Sequence, residues 1–150
     1  MGFEVGEANP NYKSVNGLLL SKDGEELIAG VNGEVAIPNS VTTIVKNAFY
    51  NFTGLTSVSI PNSVTSIGSR AFSGCSGLTS VTIPDSVTNI GTYAFYGCSG
   101  LLEFVVDEAN PNYKSVNGLL FSKNVGELIL GVNGEVSIPY RVTSIGRSAF

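Results

Sequence analysis

The chain contains two cysteines, Cys75 and Cys98, whose thiols are the strongest nucleophiles that its sequence offers. Both lie in the same local sequence, G-C-S-G, at a spacing of 23 residues. The chain has no histidine, which is the base of serine and cysteine triads and a ligand in most zinc sites. Catalysis by such a triad is therefore excluded. Three interpretations of the pair stay open, namely buried free thiols, a disulfide between stacked repeats, and a metal site.

Serines and paired carboxylates are the remaining groups that could do chemistry. The serine-rich segments 74–77 and 97–100 do not match the G-x-S-x-G pattern of a nucleophile elbow. The carboxylate pairs at 25–26 and 107–108 are adjacent in loops, where solvated surface is the simpler interpretation. Glu25 is also replaced by glycine in the second copy of its segment. We therefore predict that the protein is not an enzyme and uses no cofactor or metal.

Composition narrows the class of protein further. Charged residues make up 13% of the 150 residues, and the net charge is -4, which gives no electrostatic footprint for nucleic acid. A hydrophobic fraction of 43% with so few charges argues against disorder. No apolar run approaches the roughly 18 residues of a membrane span, so no membrane insertion is predicted. The first residues lack a basic and an apolar region, so we expect no signal peptide in this chain.

Apolar residues recur along the chain with a period of 23 residues, and this period predicts the elements that position every other group. The recurring sets are Ile37, Ile60 and Ile83; Val41, Val64 and Val87; Ile44, Ile67 and Ile90; and Phe49, Phe72 and Phe95. A fixed period in the low twenties is typical of a leucine-rich-repeat solenoid. Each unit is too short to bury its own apolar face, so the core forms between stacked neighbours.

A longer period of 101 residues lies on top of the first. Residues 7–49 match residues 108–150 with only 12 differences in 43 positions. One unit per cycle is thereby expanded to 32 residues, at 3–34 and 104–135. Inside each expanded unit two short apolar runs flank a polar break, which predicts β-hairpins at 18–29 and 119–130. Asn-Gly pairs at 16–17, 32–33, 117–118 and 133–134 are predicted turns around them.

The ordinary unit predicts a short strand followed by turns. Val81 and Ile83 alternate with Ser80 and Thr82, which predicts a strand with its apolar side inward, and Pro84 ends it. The predicted fold is a β-rich solenoid with short parallel strands on its concave face and two hairpin-bearing expanded repeats. We expect residues 1–150 to form one solenoid domain that is a fragment of a longer array. An aromatic column is expected along it, formed by Phe49, Phe72, Phe95 and Phe150.

The unit I-P-x-S-V-T-x-I-G-x-x-A-F-x-G-C-S-G-L-T-S-V resembles the BspA-like, or treponemal-type, leucine-rich repeat. The expanded unit around residues 107–121 resembles the hairpin-bearing variant of that family. The resemblance implies bacterial proteins that are exposed on the cell surface or secreted, and that adhere to host matrix proteins and to other cells. Two departures are Phe52, where other units have cysteine, and Val45, where others have glycine. Both are interpreted as local repacking.

The outward side of the strands is the candidate binding surface, because solenoid strands expose their side chains in rows. It combines hydroxyl groups with flanking acidic rows, which suits a basic or polar partner, although the aromatic and arginine residues of most hot spots are missing. A solvated face without a partner stays open as the alternative. The hairpins at 18–29 and 119–130 are a second candidate. The predicted residues are Glu34, Ser57, Ser59, Ser80, Thr82, Glu103, Val105, Glu135 and Ser137.

Together these observations favour a non-enzymatic binding or adhesion module, located at the cell surface or secreted, with a host matrix or surface protein as partner. A structural spacer or a self-assembling repeat segment without its own ligand is the alternative. The chain begins at a strand and ends within a unit, without the polar caps that solenoids normally carry. Head-to-tail association of chains is therefore a further expectation.

Overall fold

The computed structural model describes residues 2–147 and 149–150, and within them the chain forms β-strands and turns without any helix. The predicted β-rich solenoid of leucine-rich repeats is confirmed. Its strands are β1 (Tyr12–Val15), β2 (Leu18–Ser21), β3 (Glu26–Ala29), β4 (Gly33–Ala36), β5 (Thr43–Ile44), β6 (Leu55–Ser59), β7 (Ser66–Ile67), β8 (Ser80–Ile83), β9 (Asn89–Ile90), β10 (Glu103–Val106), β11 (Tyr113–Val116), β12 (Leu119–Ser122), β13 (Glu127–Leu130) and β14 (Ser144–Ile145).

The predicted strand is present in four repeats, as β4, β6, β8 and β10. In β8 the side chains of Val81 and Ile83 are buried and those of Ser80 and Thr82 are exposed, as the alternating pattern predicts. Strands β4 and β6 pair in parallel, β8 and β10 pair in parallel, and β6 lies beside β8. The exposed side of these four strands is called the strand face below.

A second row of strands was not predicted from the sequence. Strands β5, β7 and β9 have two residues each and pair in parallel from repeat to repeat. Strand β3 pairs with β5, so this row continues the first hairpin into a six-stranded sheet. Repeats are therefore joined along this second row as well as through the β4–β6 and β8–β10 pairs of the first row.

The two expanded repeats form antiparallel hairpins, as predicted. Strands β2 and β3 pair with a bulge between Leu19 and Leu20, and β12 and β13 repeat this arrangement. The structure adds a third strand to each, because β1 pairs with β2 and β11 with β12. Asn16 and Gly17 connect β1 to β2 with φ angles of 52° and 77°, which is the left-handed conformation that Asn-Gly hairpin turns require.

The aromatic column of the core is shorter than predicted. The rings of Phe49, Phe72 and Phe95 stack at centroid distances of 4.9 and 5.1 Å. The prediction that Phe150 continues this column is wrong, because Phe150 is 64% exposed and Phe95 instead meets Phe104 edge to face at 5.3 Å. The second expanded repeat lies between Phe95 and Phe150. In it, Gly131 occupies the position that carries phenylalanine in ordinary repeats.

Gly131 and its counterpart Gly30 show how the phenylalanine of the following repeat packs against an expanded repeat. A Cβ atom added at Gly131 would lie 2.2 Å from the Phe150 ring, and one added at Gly30 would lie 1.9 Å from the Phe49 ring. Only a residue without a side chain leaves room for these rings. In each expanded repeat, the space that a phenylalanine side chain would otherwise take is therefore filled by the phenylalanine ring of the next repeat.

Spacing between coils explains why Val45 departs from the glycine of other repeats. A Cβ added at Gly91 would lie 2.4 Å from the backbone nitrogen of Ser69 in the neighbouring ordinary repeat. Gly146 lies beside strand β13, and a Cβ added there would be 3.0 Å from its nearest atom, the Leu128 carbonyl oxygen. Val45 occupies the equivalent position beside β3, where the hairpin leaves more room. The predicted local repacking therefore has a steric cause.

The second row of strands ends at β9, and beyond it the second expanded repeat joins the repeat before it through side chains. Asn110 is fully buried, and its side-chain amide donates hydrogen bonds to the carbonyl oxygens of Pro84 at 2.8 Å and Val87 at 2.9 Å. Its Oδ1 accepts from the backbone N–H groups of Asn112 and Tyr113. One buried side chain thus links two repeats and shapes its own turn.

Two neighbours of Asn110 complete this junction. The amide of Asn112 donates to the Thr88 carbonyl oxygen at 2.6 Å, and the backbone N–H of Ile90 donates to the Tyr113 hydroxyl at 2.9 Å. Burial raises the pKa of Tyr113, so its hydroxyl stays protonated. The edge of β9 is therefore satisfied by a side chain where the two sheets meet.

Candidate binding surfaces

The strand face brings seven of the nine predicted site residues together. Glu34 lies opposite Ser57 in the β4–β6 pair, and β8 and β10 place Ser80 opposite Glu103. All of their side chains project to the exposed side of the strands. The seven residues are Glu34, Ser57, Ser59, Ser80, Thr82, Glu103 and Val105.

Glu135 and Ser137 do not join the strand face. Both are exposed, but the segment 134–137 forms no strand, unlike its counterpart β4. Strand β4 is held by pairing with β6 of the following repeat, and residues 134–137 make no corresponding pair among the described residues. The prediction that Glu135 and Ser137 continue the rows of the strand face is therefore wrong, because the strand at this position forms by pairing with a strand of the following repeat.

Charge on the strand face follows the predicted pattern. Glu34 and Glu103 occupy the two outer strands, and the hydroxyl groups of β6 and β8 lie between them. Val105 is 45% exposed beside Thr82 and adds a small apolar area. The face therefore presents hydroxyl groups between two carboxylates, an arrangement that complements a partner with basic and hydrogen-bonding groups.

The cysteines are buried free thiols, which confirms the first of the three interpretations. The Cys75 thiol donates to the Phe49 carbonyl oxygen at 3.1 Å, and the Cys98 thiol makes the equivalent bond to Phe72. The side chains are thus parallel and each points to its own acceptor. Burial raises the pKa of Cys75 to about 12 and that of Cys98 to about 11. Neither thiol has the low pKa of a catalytic nucleophile.

These raised pKa values predict that the protein loses stability at alkaline pH. Thiols of the unfolded chain ionise near their ordinary pKa of 9.0, whereas those of Cys75 and Cys98 stay protonated in the folded protein up to about 11 to 12. The unfolded state therefore binds fewer protons above pH 9, and the free energy of unfolding decreases from there until the folded thiols ionise. Urea unfolding between pH 7 and 11 measures this slope.

The control for that measurement is the double variant C75A/C98A. It is expected to be less stable at pH 7, because it removes packing, but to show a shallower decrease of stability above pH 9. Equal slopes for the two proteins would contradict an ionisation of these thiols as the cause.

The other groups singled out for chemistry are dispersed. The carboxylates at 25–26 and 107–108 are exposed, and the serines at 76 and 99 lie in turns. Among the described residues, no group of three or more aspartate, glutamate or cysteine side chains is placed to hold a metal ion. No helix in the described part of the chain is long and apolar enough to cross a membrane.

The hairpins expose little of their apolar sequence. Leu20, Leu27, Phe121 and Leu128 are fully buried, so the strands of both hairpins belong to the core. At the tip of the second hairpin, Lys123 donates to the Glu108 carbonyl oxygen at 2.7 Å. The hairpins therefore present only their polar tips.

A groove lined by tyrosine and arginine was missed by the sequence analysis. Tyr50 and Tyr96 are 49% and 52% exposed and occupy the same position in two repeats, and Arg70 and Tyr93 share another position. Aromatic residues are enriched at interaction sites. Two tyrosines at equivalent positions two repeats apart, Tyr50 and Tyr96, were the signal that could have revealed this groove.

Comparison with known proteins supports this architecture. A model of the BspA type leucine-rich repeat region matches residues 32–150 with six copies. The structure of PcpA, a pneumococcal vaccine antigen, is similar with a TM-score of 0.56 at 20% identity, over 94% of this chain and 51% of PcpA. The likeness to PcpA shows a shared fold.

Two further solved structures are more distant. A leucine-rich repeat protein from Eubacterium ventriosum matches with a TM-score of 0.45 at 19% identity, over 91% of this chain and 54% of that one. A leucine-rich repeat protein from T. pallidum gives 0.38 at 17% identity, over 96% and 82%. The chain thus spans about half the length of PcpA and of the Eubacterium protein. No match was found among curated proteins.

Proposed function

The chain belongs to the BspA type leucine-rich repeat family, and from this premise we propose that it is a non-enzymatic binding and adhesion module. Its partner is a host matrix or cell-surface protein, and the protein that contains it acts at the bacterial surface or after secretion. The observation that carries the proposal is the strand face, where parallel pairing fixes exposed side chains of successive repeats in rows.

The chemistry of the strand face favours a partner with basic and hydrogen-bonding groups. Glu34 and Glu103 supply negative charge on the outer strands, and Ser57 and Ser80 supply hydroxyl groups that donate and accept hydrogen bonds. Because strand pairing fixes the backbone that carries these groups, no backbone ordering is required when a partner binds. A rigid polar surface of this kind gives specificity through complementary charge.

Reversing the charge of the strand face is expected to weaken binding at least tenfold. The triple variant S57R/S80R/E103R places three cations where we expect the basic groups of the partner, at exposed positions. Binding is measured against a panel of immobilised extracellular-matrix proteins by surface plasmon resonance. Saturable binding of the unmodified protein to at least one member of the panel is the expected result.

The matched control is T65R/T88R/E127R, which adds the same charge at exposed residues outside the strand face. It is expected to bind within twofold of the unmodified protein. Equal losses in both variants would point to a nonspecific effect of net charge. Absence of saturable binding across the panel would favour the alternative function, a structural spacer, which is consistent with the lack of tryptophan, tyrosine and arginine on this face.

A further inference from the structure

The turns that follow the core phenylalanines form a surface of their own, separate from the strand face. We call residues 46–53, 69–76 and 92–99 the turn ridge. A groove of about 600 Å³ runs along it, within the roughly 300–1,000 Å³ of small-ligand sites. Its lining includes Tyr50, Ser73 and Tyr96 from one repeat position, Arg70 and Tyr93 from another, and Asn51.

Two tyrosines separated by a serine give the groove its shape. Tyr50, Ser73 and Tyr96 are equivalent residues of three successive repeats, whose spacing is 4.9 to 5.1 Å at the phenylalanine rings beneath. Ser73 is only 5% exposed and lies at the floor of the groove between the two half-exposed tyrosines. The Tyr96 ring also packs edge to face on Tyr93, with centroids 5.8 Å apart, so the wall of the groove is aromatic on this side.

The backbone of the groove is strained at the residues that supply its charge and part of its aromatic wall. Arg70 and Tyr93 have positive φ angles of 55° and 60°, a conformation that long L side chains rarely adopt. The equivalent residue of the preceding repeat is Asn47, with φ of 63°, and asparagine tolerates this conformation well. Strained residues of this kind concentrate at functional sites, where the side chain matters more than the backbone preference.

Arg70 makes the groove locally cationic on a protein of net charge -4. It is the only basic residue between residues 50 and 102, and its guanidinium lies over the Tyr93 ring at 5.6 Å from the ring centroid. The only carboxylate in the same stretch is Asp85, on the turn after β8. An arginine stacked on an aromatic ring keeps its planar N–H groups available for a carboxylate.

Backbone hydrogen bonds join each of the first two segments of the ridge to the segment that follows it. The N–H of Asn51 donates to the Ser73 carbonyl oxygen and that of Gly74 to the Tyr96 carbonyl oxygen, both at 2.8 Å. These two segments thus lack the free backbone edge on which an extended peptide adds as a strand, whereas in the last segment the N–H groups of Tyr93, Phe95 and Gly97 make no backbone bond among the described residues. What the groove offers a ligand is aromatic surface, one cation and the amide of Asn51, all on a hydrogen-bonded backbone.

We propose that this groove binds a carboxylated sugar ring of an acidic glycan. The apolar face of the ring packs against the tyrosines, and its carboxylate pairs with Arg70. The ring hydroxyl groups bond to the exposed Asn51 amide. The site does not depend on the strand face, so the protein carries two separate binding surfaces with different ligand chemistry.

The test is isothermal titration of the full chain with four defined probes. Sialyllactose and a hyaluronan tetrasaccharide present the two common sources of a carboxylated sugar, namely sialic and glucuronic acid. Lactose is the neutral control, and a glutamate-rich peptide presents carboxylates without sugar rings. At least one acidic glycan is expected to bind tenfold or more tightly than lactose and the peptide.

Two groove variants and one control assign that binding to the groove. R70N restores the residue that Asn47 provides at the equivalent position, so it removes the charge without straining the backbone. Y96S likewise copies Ser73. Each is expected to weaken glycan binding at least tenfold, whereas R141N removes an exposed arginine that also lies 5.6 Å from a tyrosine ring centroid and leaves binding unchanged.

Several outcomes would overturn the proposal. They are tighter binding of the peptide than of either glycan, equal binding of lactose, retention of full affinity in folded R70N, or no binding of any probe. Because none of the groove residues lies on the strand face, failure here leaves the matrix-protein assay unaffected, and the reverse also holds.

Discussion

Replacing Phe72 with alanine is expected to lower the free energy of unfolding by about 3–5 kcal/mol. Phe72 is fully buried and stacks between Phe49 and Phe95, at centroid distances of 4.9 and 5.1 Å. Its removal opens a cavity in the middle of the column and ends both ring contacts. Since small domains are stable by only about 5–15 kcal/mol, this is a large fraction of the total.

Urea unfolding followed by circular dichroism measures this loss. Phe150 provides the matched control, because it is the equivalent residue of the last repeat but is 64% exposed. The variant F150A is therefore expected to lose about 1 kcal/mol or less. A loss for F72A as small as that for F150A would show that the stacked column does not hold adjacent repeats together.

Much of this fold could be predicted from the sequence, because its elements repeat with a fixed period. The alternation of Val81 and Ile83 with serine and threonine determines which side of β8 is buried, and the same pattern places β6 and β10. The second row of strands could not be predicted in this way. Ser66 and Ile67 form a two-residue strand, too short to show any alternation, and it exists only because neighbouring repeats pair with it.

The limits of prediction at the candidate sites have the same physical origin. Ser57 and Glu103 could be placed on the strand face because their side-chain direction follows from strand geometry alone. The groove on the turn ridge depends on the left-handed conformation of Arg70, which is not what the residue type predicts. Glu135 shows the reverse, since a sequence that forms a strand in one copy does not do so without the partner strand.

Asn110 makes this dependence on neighbours measurable, and its replacement by alanine is expected to cost about 3–5 kcal/mol. The side-chain amide donates to the carbonyl oxygens of Pro84 and Val87, and Oδ1 accepts from two backbone N–H groups. An alanine leaves these buried groups without their partners, and each such group costs about 1–3 kcal/mol. The loss is measured by urea unfolding of the full chain.

The chain provides its own control in Asn9, the equivalent residue 101 positions earlier. Asn9 accepts the same two local bonds, from the N–H groups of Asn11 and Tyr12, but it is only partly buried. Among the described residues, its side-chain amide donates no hydrogen bond equivalent to those of Asn110. The variant N9A is therefore expected to lose about 1 kcal/mol, the value of the local turn. The difference between N110A and N9A isolates the bonds between repeats, and equal losses would mean that the junction contributes nothing beyond its turn.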